Sequence, residues 1–180
     1  MRLAPGSVVE QLAGAYSVGW TVLVAVAGVC ALVPAARWVA QHELAVDLHV
    51  RIRPAPPPTL HACLWLIANN LRATAWPLVP ALLDAERSRR LRQIMHAAVA
   101  VSLAANLLPV AAALGVYRRT LVPYLPHLPL ELYAITTGPA TWRLRAGGRC
   151  TTRQMLQIAA SIVFALSAAA FLETWAVPHQ

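Results

Sequence analysis

Three long stretches without a formal charge decide most of what this chain can become. They cover residues 11–36, 93–117 and 154–172. Each meets the length of about 18 residues that a helix needs to cross the hydrocarbon core of a bilayer. The rest of the composition points the same way. The chain is 58% hydrophobic and 12% charged, whereas a soluble domain carries roughly 25% charged residues. Water is therefore not the solvent for most of its surface.

All fifteen basic residues are arginine, and the formal net charge is +8. A basic chain can be a nucleic-acid binder, but here the arginines lie in short runs between apolar segments, which is how membrane proteins encode orientation. Nucleic acid is excluded as a partner on that ground. Only Arg2 precedes the first apolar stretch, which is too long for the core of a signal peptide, so it reads as a retained anchor. Cys30, Cys63 and Cys150 lack metal-like spacing and read as small apolar residues.

The expected fold is an all-α integral membrane protein, one domain over residues 1–180, with about five transmembrane helices. The spans are placed at 16–37, 60–83, 94–117, 121–142 and 155–177. Pro34 kinks or ends the first. The connection 38–59 contains an amphipathic stretch that suits an interfacial helix. Ala100, Ala104, Ala111 and Gly115 form a small-residue face on the third span. Pro123, Pro126 and Pro129 break the start of the fourth, which favours a helix beginning near His127. Trp38, Trp142 and Trp175 sit at span ends as interface anchors.

Orientation follows from the loops. With the N-terminus cytoplasmic, nine arginines face the cytoplasm and five (Arg37, Arg51, Arg53, Arg118 and Arg119) face out. This places the C-terminus outside the cell membrane.

Ionisable groups at membrane depth cost at least about 2.5 to 3.5 kcal/mol, so each calls for a partner or a purpose. His127 and Glu131 are four residues apart and share one helix face. They are the candidate catalytic pair, an acid and a base. Asn69, Asn70, Arg72, Asn106 and Glu173 are the candidates for a polar network between helices or against a substrate. Arg72 is the natural counter-ion for Glu131 or Glu173, and a structural ion-pair network is the preferred reading. His42, His49, His61, His96 and His179 fall near the interfaces and read as solvated. Two ligands do not make a zinc site, so no metal and no cofactor are assigned.

With these positions in hand, the chain resembles the stage II sporulation protein M family of small polytopic membrane proteins. The likeness covers residues 64–178. It rests on Ile67-Ala-Asn69-Asn70-Leu-Arg72, on the helical Asn106 and on Pro126-His127-Leu-Pro-Leu-Glu131-Leu-Tyr-Ala134, with Glu173 shortly before Pro178. Leu128 and Leu107 stand where relatives carry glycine. The resemblance implies a scaffold or partner subunit in a membrane complex, for cell-envelope remodelling or for peptide export and maturation, including circular bacteriocins. Its partners would be the lipid bilayer, other membrane proteins, an ABC-type ATPase subunit or a peptide substrate, and further copies of the chain.

Two alternatives stay open. One is an intramembrane peptide-maturation enzyme using His127 and Glu131 as acid and base. The other is a membrane subunit of an ABC-type transporter. Whether the chain is an enzyme is not decided by its sequence.

Overall fold

In the computed structural model every regular element among the described residues is a helix; those residues are 6–44, 58–82, 89–117, 122 and 125–175. Helix α1 (Val8–Leu32) opens with a reciprocal cap. The Ser7 hydroxyl accepts from Glu10 N at 3.2 Å, and the Ser7 amide donates to Glu10 Oε2 at 2.7 Å. Such a box satisfies two amides that the first turn leaves unbonded. It sets the helix start well before the expected residue 16. Val33 is extended and Pro34 takes the first position of α2 (Pro34–Val39). A proline there forbids the preceding residue a helical backbone, so α1 ends at Leu32, short of the expected residue 37, with Pro34 as the cause. A π-helical turn, Ala40–Leu44, follows α2. Most of the expected interfacial segment, 45–57, lies outside the described residues.

The next element is broken. Helix α3 (Leu60–Ala75) is capped by Thr59, whose hydroxyl accepts from Ala62 N. A turn at Trp76 and Pro77 then leads into the short α4 (Leu78–Leu82). Helix α5 (Arg89–Tyr117) runs through Pro109 without interruption, and α6 spans Leu128–Ala146. The helix expected as the fourth span thus begins at Leu128 rather than at 121, because the proline cluster before it denies a continuous backbone ladder. Helix α7 (Thr152–Trp175) closes the bundle.

Helices α1, α5 and α7 are long and apolar enough to cross a membrane. The chain is an all-helical membrane protein by that measure. The broken α3–α4 pair and α6 are not among the helices that meet this requirement. For α3–α4 the reason is the interruption at Trp76. For α6 it is composition: Thr136, Thr137, Thr141, Arg143 and Arg145 dilute its apolar residues.

Helix α6 nevertheless occupies the centre, packed against α1, α3, α4, α5 and α7. A helix buried all round shows no single apolar stripe, and α6 buries Leu132, Ala134, Thr136, Gly138 and Trp142 alike. Two of its threonine hydroxyls return to their own helix, Thr136 to Leu132 O and Thr141 to Thr137 O, both at 2.8 Å, whereas Thr137 Oγ1 is buried without a partner among the described residues. Backbone contact is closest at two glycines. A Cβ on Gly138 would lie 2.5 Å from Thr74 O, and one on Gly115 would meet Ala27 O and lie 2.8 Å from Cys30 Cβ. Ala111 and Gly115 face α1, whereas Ala100 is exposed, so the small-residue face serves α1 only along its later half.

Two readings of aromatic and histidine positions need correction. Trp142 is 0% exposed and belongs to the core with Met155, Ile162 and Leu166. Its indole Nε1 donates to His96 Nδ1 at 3.2 Å, so His96 has a protein partner as well as solvent. Trp38 and Trp175 are exposed, as anchors require.

Candidate functional site: a His–Glu–Glu centre

The first turn of α6 sets the site. His127 is its N-terminal cap residue, and its carbonyl accepts from the amides of Leu130 and Glu131 at 3.1 and 3.2 Å. The Glu131 side chain therefore follows that of His127 by one turn on the same face. Glu173 comes from the last turn of α7. One ligand atom from each of His127, Glu131 and Glu173 lies within 4.8 Å of the other two. His127 is buried at 8% exposure, and both glutamates are partly buried. Asn70 of α3 completes the group, its Nδ2 donating to Glu131 Oε1 at 3.0 Å. Three helices thus meet at one polar centre.

Not every residue expected in that network joins it. Arg72 is exposed, and among the described residues no ion pair joins it to either glutamate. The cause is helical geometry: two residues beyond Asn70 is about 200° round the axis. Asn69 is likewise exposed, about 100° from Asn70. Asn106 lies in a separate polar patch, its Nδ2 bonded to Ser102 O at 2.7 Å. In the same patch Trp76 Nε1 donates to Ser102 Oγ at 2.8 Å. A void of about 10 Å³ beside Asn106, Ser102 and Thr74 is near the size of one water molecule. Ser102 and Trp76 carry no signal in the sequence that marks them as partners. Another cross-helix pair of this kind is Tyr133 Oη with Ser161 Oγ at 2.8 Å.

A second feature is an open groove of about 390 Å³ between α1, α5 and α6. Gly14, Val18, Leu103, Leu107 and Pro139 form much of its wall, with Arg143 and Arg149 also lining it. A Cβ built on Gly14 has nothing within 4 Å, so none of the described residues packs against it.

Chemically, the centre offers one imidazole and two carboxylates, a set able to move a proton or to hold a cation. Comparison with family models, curated proteins and solved structures found no match to the chain.

Proposed function

We propose that the chain is a multi-pass subunit of a cell-membrane complex that holds a partner membrane protein, for envelope remodelling or for peptide export and maturation. In this reading it crosses the bilayer five times, α3–α4 and α6 included, with its N-terminus in the cytoplasm. The arginine excess and the likeness to the sporulation protein M family support this setting.

The groove beside Gly14 carries the proposal. In lipid, helices associate through faces of small residues that let backbones approach closely. Gly14 and Ala15 give the groove wall such small residues, with Val18 beside them, and the groove is open. A photo-crosslinking residue at Val18 is expected to capture a partner in native membranes. The same residue at Phe164, 75% exposed on α7, serves as the control for random collision. Gly14→Leu should abolish capture from Val18 while leaving thermal stability unchanged. Equal capture from both positions, or none from either, defeats the proposal.

One observation favours a second reading, an intramembrane peptide-maturation enzyme. Glu173 and Asn70 stand beside His127 and Glu131, giving the acid–base pair polar support. Glu131→Gln would then stop product formation in a protein of normal stability. Loss of folding together with activity would assign the carboxylate to architecture instead.

A further inference from the structure

We propose that His127, Glu131 and Glu173 bind one divalent transition-metal cation of the zinc class. The proposal goes beyond the docking groove and stands independently of it.

Geometry comes first. Three atoms within 4.8 Å of one another share a centre no more than about 2.8 Å from each. Zinc sits about 2.0 to 2.2 Å from nitrogen and oxygen ligands. Small rotamer adjustments therefore close the shell without moving a helix. The ligands also come from backbone positions that are well fixed. His127 and Glu131 lie one turn apart at the start of α6, and Glu173 is presented by the last turn of α7.

Two further observations point to a cation. The first is the bond from Asn70. Ligating carboxylates are commonly held by an outer hydrogen bond that fixes their orientation. Asn70 Nδ2 occupies Glu131 Oε1, which leaves the other oxygen to turn toward Glu173 and His127. The second is charge. Two carboxylates meet inside the bundle, yet among the described residues no arginine is paired with either. Arg72, the one arginine of α3, is exposed. A dication at the centre offsets both charges where lipid and protein do so poorly.

The donor set selects the metal. One imidazole nitrogen, two carboxylates and no sulfur suit zinc and its spectroscopic stand-in cobalt(II) over copper(I). Three protein ligands leave a fourth position for water or substrate, the arrangement of reactive rather than purely structural zinc sites.

The test uses the full chain in lipid nanodiscs, stripped with a chelator and reloaded with Zn²⁺ or Co²⁺. One equivalent per chain should survive gel filtration. The cobalt-loaded protein should show visible d–d bands without sulfur-to-metal charge transfer. Asn70→Ala should weaken binding about tenfold, as losses of outer-shell partners do. Glu173→Gln should weaken it further, whereas Glu10→Gln, at the far end of α1, should not change it. Should Glu173→Gln fail to fold, the cobalt spectrum of the unaltered protein still decides. Absence of a stoichiometric ion in the unaltered protein, a thiolate spectrum, or full retention in Glu173→Gln overturns the assignment.

Discussion

Asn70 on α3 and Glu131 on α6 are joined by a 3.0 Å hydrogen bond that ties α3 directly to the site. Interhelical bonds of this kind contribute about 0.6 to 2 kcal/mol in membranes. Asn70→Ala should therefore cost about 1 kcal/mol in a denaturing-detergent titration. Asn70→Asp replaces the donor with a third carboxylate and should cost more than the alanine variant.

Gly138 permits the break in α3 to meet α6. An alanine there would press on the Thr74 carbonyl, which belongs to backbone and cannot rotate away. Gly138→Ala is expected to destabilise by about 1 to 3 kcal/mol, the usual cost of overpacking. Gly14→Ala meets open space and should be neutral, or stabilising by about 0.5 to 1 kcal/mol through helix propensity. Equal effects at the two glycines would contradict the packing described.

Trp142 and Trp175 are both near helix ends but differ in surroundings. Trp142 fills the core, so Trp142→Ala should cost about 3 to 5 kcal/mol. Trp175 is 41% exposed, and Trp175→Ala should stay within about 1 kcal/mol. Thermal unfolding of the two variants in one detergent reads the difference.

Cys150 lies in the turn between α6 and α7. Burial pushes its thiol up, with the nearby Arg145 guanidinium pulling the other way. The folded state thus prefers the neutral thiol. The associated stability is present below the ordinary thiol range and is lost as pH rises through the raised value. In a Cys30→Ala/Cys63→Ala background, maleimide labelling should be slow at pH 7 and should accelerate as the pH climbs above that range, since the thiolate reacts. Denaturant at pH 7 should remove the protection.

The membrane class was readable because charge-free length is a one-dimensional property, and α1, α5 and α7 coincide with the three uncharged stretches. The pairing of His127 with Glu131 was readable for a similar reason, since four-residue spacing fixes a shared helix face. The position of Arg72 was not. Its charge is visible in the sequence, but the side of α3 that faces α6 is set by packing, and Asn70 takes that side. Trp142 misleads in the same way: an aromatic at a span end matches an anchor until the turn through Gly147 and Gly148 folds α7 back over it. Glu173 reaches the site through the α6–α7 antiparallel arrangement, which no local pattern encodes.

The central place of α6 bears on how the chain is made. A segment carrying Glu131, three buried threonines and two arginines partitions poorly into hydrocarbon when alone. Its neighbours supply the surroundings that the lipid does not. In the five-span reading, α6 depends on helices made both before and after it for the shelter that lipid does not give.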